Sequence, residues 1–273
     1  MGPCRENLLG SANWNVLAEL DPLWTILSDP EKKFGKWDRA EFFGTGVLEA
    51  KRVLEMCRSN CVNISGGKLL DFGCGVGRMT RGFSGFFQSC TGIDVSESMI
   101  SIARKFNSDE PRCTFVVSDG IVLPFGDKSF DFVFSVLVLQ HLPSKSLILS
   151  YIAEFVRVAK DDGVIVFQLP NEVPLRRRVQ LRRRLWALLS FLGIPRAWLF
   201  QKAGLVPIII KGISKQEIEK FIMARGGRVR GVERYDLNEG RFHSYYYVVT
   251  KQRAAPSQNI SHERRELEGA SPR

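Results

Sequence analysis

Three aspartates, each ending a short apolar run, carry the residue types with the clearest chemical use in this chain. Asp71 stands in Leu69-Leu70-Asp71-Phe72-Gly73-Cys74-Gly75-Val76-Gly77-Arg78, Asp94 in Gly92-Ile93-Asp94-Val95-Ser96, and Asp119 in Ser118-Asp119-Gly120. In the first run the glycines fall at every second position where a strand turns into a helix, which lets a ligand approach the backbone. A carboxylate just before them suits a ligand with an ammonium group and repels a pyrophosphate. The third glycine of a dinucleotide fingerprint would stand where Arg78 is, so a nicotinamide cofactor fits poorly. Asp94 follows about 20 residues on, where a carboxylate can accept both hydroxyls of a ribose. One strand-end acid is readily a helix cap. Three at successive strand ends line the carboxyl edge of a sheet, where open α/β folds bind ligands.

The elements that position these acids follow from the apolar pattern. Short apolar runs alternate with helical periodicity from Lys68 to Pro170, the signature of a parallel α/β sheet. Strands are predicted at Lys68–Phe72, Cys90–Val95, Cys113–Ser118, Phe130–Val136 and Val164–Leu169, with Asp161-Asp162-Gly163 as the turn into the fifth. Helices are predicted at Gly77–Phe86, Glu97–Phe106 and Ser146–Ala159. Two late strands, Arg228–Arg234 and Ser244–Thr250, are joined too briefly to be anything but antiparallel. Upstream, residues 12–60 read as helices broken at Asp21-Pro22 and Asp29-Pro30. Asp38 with Glu41, and Ser214 with Glu217, have capping-box spacing. The expected fold class is α/β: a Rossmann-like, doubly wound, mostly parallel sheet with an antiparallel last strand, a helical N-terminal cap and a helical insertion after the fifth strand. The corresponding division is a cap or lid over 1–60, a core domain over 61–251 with a basic amphipathic insertion at 173–212, and a polar, disordered tail over 252–273.

These residues resemble the class I S-adenosylmethionine (SAM)-dependent methyltransferases, closest to the small-molecule branch that includes the quinone-biosynthesis enzymes. The resemblance runs from about Leu69 to Pro170, roughly two fifths of the chain. It includes the glycine run, Asp94, Ser96 with Met99, Asp119, Leu123-Pro124-Phe125, Ser129-Phe130-Asp131 and Gln140-His141-Leu142. It implies SAM as cofactor, with Gly73, Gly75 and Gly77 against the methionine moiety and Asp71 serving its ammonium. Asp94 would hold the ribose and Asp119 the adenine amino group. Val95, Met99 and Gly120 would line the adenine slot, while Ser135 and Val136 would border the sulfonium. Arg78 would meet the cofactor carboxylate or stand solvated on its helix.

A sulfonium already carries an activated methyl group, so the protein's main task would be in-line positioning of a nucleophile. A general base helps when the acceptor is a hydroxyl and is dispensable for softer or already ionised acceptors. Of the three histidines, His262 lies in the tail, His243 begins the last strand, and His141 follows the fourth strand where an acceptor would sit. His141 is therefore the candidate base, the alternative being a residue that organises the turn before Pro143. The fourth strand leads into Ser135-Val136-Leu137-Val138 rather than the Asn/Asp-Pro-Pro-aromatic segment of base-amino methyltransferases. A Pro-Cys nucleophile and an acidic trio for a metal are also missing. Cys4, Cys57, Cys61, Cys74, Cys90 and Cys113 have no paired metal-ligand spacing. A metal site is not expected.

The net charge is +10. Val173 to Gln216 contains arginines and lysines but no Asp or Glu, and its charge equals the whole excess. A local anionic partner is expected rather than nucleic acid generally. Within this stretch Arg176, Arg177, Arg178, Arg182, Arg183 and Arg184 precede a helix with Leu181, Leu185, Leu188, Leu189 and Leu192 on one side. Cations at a helix N-terminal half oppose its dipole, so local stability does not explain them. The expectation is an acceptor-side lid touching carrier phosphates or anionic lipid, with Trp186 and Phe191 entering the interface. The bland alternative is a solvated basic face on a helix packed by its leucines. A second lid is expected from Trp37, Phe42, Phe43, Thr45 and Gly46, closing over the cofactor, against the alternative of a helix packed on the sheet. No signal-type apolar core or membrane-length run is visible. The protein is expected to be cytoplasmic, with possible peripheral membrane contact. The expected function is methyl transfer to a small or carrier- or lipid-linked acceptor. The alternatives are a nucleic-acid methyltransferase and a non-catalytic SAM-binding protein. Acceptor, methylated atom and oligomeric state stay open.

Overall fold

The computed structural model describes residues 3–118, 120–171, 173, 179–235 and 243–251, with backbone alone over 3–11. Asp119, Arg176 to Arg178 and the tail from 252 lie outside the described residues. The helices are α1 (Pro3–Leu20), α2 (Pro22–Ile26), α3 (Arg39–Ser59), α4 (Arg78–Ser84), α5 (Glu97–Phe106), α6 (Lys145–Val158), α7 (Leu181–Phe191), α8 (Arg196–Gln201) and α9 (Lys215–Met223). The strands are β1 (Lys68–Phe72), β2 (Ser89–Asp94), β3 (Cys113–Val117), β4 (Phe130–Ser135), β5 (Ala159–Pro170), β6 (Gly227–Tyr235) and β7 (Ser244–Lys251).

The strands form one sheet in the order β3-β2-β1-β4-β5-β7-β6. The first five are parallel, and β7 runs antiparallel to both β5 and β6. The expected α/β class and antiparallel last strand are both present. Strand order reverses between β1 and β4, where successive crossovers leave in opposite directions and open a crevice at the carboxyl ends. That crevice places the end of β1 beside the end of β4.

Both faces of the sheet are covered, which is why its strands read as continuous apolar runs. One face buries Leu70, Val133, Ile165 and Tyr247 under α6 and α9. The other buries Leu69, Phe132, Phe134, Val166 and Tyr246 under α3 and α4. A fully buried side chain of this size contributes about 1.5–3 kcal/mol. Helices α3 and α4 come so close that a Cβ on Gly82 would collide with the Gly46 carbonyl.

Several local expectations are modified. Asp161 to Gly163 form no turn before a strand: Phe130 pairs with Ala159 and Phe132 with Val164, so Lys160 to Gly163 bulge within β5 opposite Asp131. Lys160 stabilises the bulge, its ammonium donating to both Asp131 oxygens at 2.9 and 2.8 Å. Asp38 caps α3 by accepting the Glu41 N–H at 2.9 Å. Ser214 precedes α9 without a side-chain cap. There the Lys215 N–H goes to Asn171 Oδ1 at 2.7 Å, and Glu217 pairs with Lys145. Helix α7 is packed by Trp186 and Leu189, against Leu199, Phe200 and Leu205, while Leu181, Leu185, Leu188 and Leu192 of the expected stripe are exposed. Among the described residues no helix is long and apolar enough to cross a membrane.

Candidate active site

A cavity of about 970 Å³ opens at the crevice between β1 and β4, within the size range of small-molecule sites. Its floor is the turn from β1 into α4. Gly73 and Gly75 line it with φ of +74° and +53°, a left-handed backbone that favours glycine. A Cβ on Gly75 would come within 2.6 Å of Ile26 Cδ1. Gly77 is left-handed for another reason. It faces Phe115 and Asn107 and does not line the cavity.

The amide hydrogens of this turn are already used. Gly73 and Cys74 both donate to the Ile93 carbonyl, at 2.7 and 3.1 Å, and Gly77 donates to the Cys74 carbonyl at 2.9 Å. Gly75 donates to Asp94 Oδ2 at 2.9 Å. A phosphate cradle needs such N–H groups free. This turn has glycines for close approach but spends those four donors internally, in keeping with the poor fit to a pyrophosphate.

What it does offer is a buried pair of opposite charges. Asp71 is 2% exposed and accepts the Thr80 hydroxyl at 2.7 Å. Burial pushes its carboxyl up to about 6, against the opposing pull of Thr80 and the Arg78 charge. Arg78, the first residue of α4, is 4% exposed; one guanidinium nitrogen donates to the Thr45 hydroxyl at 3.3 Å. Its Nε has no partner among the described residues. Both side chains line the cavity. A buried, incompletely satisfied cation is costly unless an anion meets it. A free amino acid headgroup, with ammonium toward Asp71 and carboxylate toward Arg78, matches the pair.

Asp94 acts on the protein as well as facing the cavity. Its two oxygens accept the Gly75 and Ser96 N–H groups, each at 2.9 Å, tying the glycine turn to the start of α5. Burial raises its carboxyl above the ordinary value, opposed by these bonds. Each oxygen keeps lone-pair capacity for a ribose hydroxyl. Val95, Met99 and Val136 line the cavity, whereas Gly120 and Ser135 do not. The Gly120 carbonyl accepts the Tyr151 hydroxyl at 3.2 Å, and Ser135 Oγ is buried without a partner among the described residues.

The rest of the cavity was largely invisible in the sequence. Trp14 of α1, Trp24 of α2, Leu137, Val206, Ile208 and Ile210 line it, while Ile26 and Val138 also line it and reach back to Gly75 and Gly73. Leu137 sits at φ +60°, held by its N–H donating to Gln168 Oε1 at 3.0 Å. Of the residues expected to close over the cofactor, Trp37, Phe42, Phe43, Thr45 and Gly46, only Trp37 lines the cavity. Phe42 and Phe43 pack with Ala18, Val76 and Met99, and Gly46 abuts the Arg78 backbone. The roof is α1 and α2; α3 is a packed helix. Only the clustering of tryptophans in residues 14–37 hinted at this.

His141 closes a short 3-10 turn and lines this apolar end. A chain of amides fixes its state. Gln168 donates to Ser244 Oγ and to Gln140 Oε1, the latter at 3.3 Å. The Gln140 amide nitrogen then faces His141 Nε2 at 3.1 Å, and His141 Nδ1 meets the Ile209 carbonyl at 2.6 Å. A carbonyl only accepts, so Nδ1 carries the proton and Nε2 accepts from Gln140. Burial lowers the imidazole to about 4, against the Ile209 bond. A base works best near the operating pH. His141 is neutral at pH 7, with its lone pair already committed.

A family profile for a methyltransferase domain matches residues 70–167. The chain carries a class I SAM-dependent methyltransferase domain. The methyltransferase domain is 35% identical over 155 residues to a demethylmenaquinone methyltransferase of Staphylococcus aureus, covering 56% of each chain. It is also 35% identical over 104 residues to the 2-methyl-6-phytyl-1,4-hydroquinone methyltransferase of Synechocystis, covering 37% of this chain and 31% of that protein. These matches thus span less than two thirds of the relatives' own length. Among solved structures, magnesium protoporphyrin IX methyltransferase of Synechocystis with bound S-adenosylhomocysteine (SAH) superposes with a TM-score of 0.59 at 15% identity. That superposition covers 90% of this chain and 99% of that one, and supports the fold.

Proposed function

We propose that this protein is a SAM-dependent methyltransferase (EC 2.1.1.-) whose acceptor is a small, largely apolar molecule of the quinone type. The carrying observation is the buried pair of Asp71 and Arg78 at the glycine turn. Asp71 would hold the cofactor's ammonium, Arg78 its carboxylate and Asp94 its ribose, while Val95 and Met99 border the adenine. Asp119 is kept as the partner of the adenine amino group. When bound, SAM supplies a methyl group already activated for transfer.

The chain's own work is positioning and exclusion of water. Trp14, Trp24, Leu137 and Val138 offer a flat ring two aromatic walls and an apolar floor. Gln140 and His141 are the polar groups there. We assign the second amide hydrogen of Gln140 to orienting an acceptor oxygen, with His141 holding that amide in place, because a neutral imidazole with a committed lone pair is a weak base. An acceptor that ionises unaided, or is nucleophilic at carbon, needs no more. The hydroquinone and menaquinone relatives motivate this acceptor class.

Calorimetry with SAM, SAH and NAD tests the cofactor half: both adenosyl ligands are expected to bind and NAD to be silent. Transfer of labelled methyl from SAM to demethylquinones, against a panel of catechols, amines and RNA, tests the acceptor half. NAD binding with silence toward SAM sinks the first, and labelling of RNA alone sinks the second.

A further inference from the structure

The outward side of α7 has no packing partner among the described residues. Leu181, Leu185, Leu188 and Leu192 recur at the spacing of one helical stripe. They are 69%, 45%, 55% and 65% exposed, with Phe191 beside them at 87%. Trp186, on the other side, is 5% exposed and anchors the helix. A helix that shows its leucines to water reverses the usual amphipathic arrangement. Such a patch marks an interaction surface.

The surrounding charge selects the partner. Arg184 falls between Leu181 and Leu188 on the exposed arc, and Arg196 and Lys202 are exposed on and after α8, next to a half-exposed Trp198. Among the described residues none of these three cations enters an ion pair. The sequence from Val173 to Gln216 supplies no carboxylate at all. A second copy of this face would bring arginine against arginine across a two-fold axis. Leucines ringed by unpaired cations fit a surface that is anionic outside and hydrocarbon beneath.

We propose that α7 and α8 dock the protein on an anionic lipid bilayer. The leucine stripe and Phe191 enter the headgroup–acyl boundary, while Arg184, Arg196 and Lys202 meet lipid phosphates. The same helix forms the cavity's mouth: Gln180, Leu181, Arg182 and Arg183 line the cavity, and exposed Leu181 belongs to both surfaces. Docked this way, the cavity faces the membrane, and an apolar acceptor enters without crossing water. That entry route rests on the acceptor reading above; the docking does not.

The test is flotation of the full chain with vesicles of phosphatidylcholine alone or mixed with phosphatidylglycerol. Flotation is expected only with the anionic vesicles and should fall as salt rises. The triple variants L185S/L188S/F191S and R184Q/R196Q/K202Q are each expected to lower the bound fraction about tenfold or more. All six positions are exposed and outside the cavity, so melting temperature and SAM affinity should not change. Docking is overturned by equal flotation on neutral vesicles, by no flotation, or by triple variants that float like wild type. It is also overturned if sedimentation shows a dimer that the leucine variant abolishes, or if RNA displaces the protein from anionic vesicles. Flotation as expected with silence toward SAM would leave docking standing and remove the proposed function; SAM binding without flotation would do the reverse.

Discussion

The two ends of the cavity satisfy their polar groups in opposite ways. At the glycine turn, the Gly73, Cys74, Gly75 and Gly77 amides are bonded within the protein, Asp94 is bonded twice, and Arg78 keeps a buried nitrogen without a partner among the described residues. At the other end the walls are tryptophan and aliphatic side chains, and the one histidine is neutralised by burial. The first end is built from buried charge; the second is largely apolar, with Gln140, His141, Gln180, Arg182 and Arg183 as polar lining. The difference teaches that the chain offers charge held locally at the glycine turn, and shape assembled from distant segments at the other end.

The strongest way to break this comparison is Arg78→Met. Removing an incompletely satisfied buried cation should leave the melting temperature unchanged or higher. SAM affinity should fall about a hundredfold as the charge-assisted bonds to its carboxylate vanish. A variant that binds SAM normally would make Arg78 structural.

Proton linkage at Asp71 gives the next largest effect. Its pKa of about 6 lies above the ordinary carboxylate value, so the uncharged form is favoured in the free protein below that pH. Ammonium binding needs the charged form, and SAM affinity should fall about tenfold for each pH unit below 6. Asp71→Asn should be weak throughout and flat with pH. Calorimetry from pH 5 to 8 reads both. A flat wild-type profile would remove Asp71 from the ligand.

Asp94→Ala should cost twice, because this carboxylate serves the fold and the site. Losing its bonds to Gly75 and Ser96 should lower stability by about 1.5–3 kcal/mol in denaturant unfolding. SAM affinity should fall about tenfold from the lost ribose contact. Lower stability with an unchanged dissociation constant would leave Asp94 a tie between turn and helix.

The smallest effect is expected at the apolar end. His141→Asn should keep turnover within about tenfold of wild type, whereas a lost general base costs about a hundredfold or more. The imidazole's folded value near 4 lies below its ordinary value. Its contribution to stability is therefore complete above pH 6.5 and is lost as pH falls toward 4. The variant should lack that acid-side loss in thermal melts. A hundredfold drop in turnover, with a rate profile bending near pH 6, would restore His141 as the base.

What the sequence by itself determined is what depends on neighbours along the chain. β1 and α5 stand at their expected bounds, because period and cap are local properties: Ser96 Oγ receives the Met99 N–H at 3.1 Å to start α5. Asp71, Asp94 and the glycines of the turn after β1 were legible as strand-end residues for the same reason. The tertiary structure decided everything that depends on which distant group arrives. Ser214 and Glu217 have the spacing of a cap, yet Asn171, brought by another element, accepts the Lys215 N–H, and Glu217 pairs with Lys145. Gly77 was grouped with its neighbours by pattern, but Phe115 across the fold occupies its open side. The leucines near α7 formed the obvious packing stripe, but of them only Leu189 packs inward, beside Trp186, and the other four are exposed. A helical pattern specifies which residues share a face; the surface that the rest of the chain presents decides whether that face turns inward.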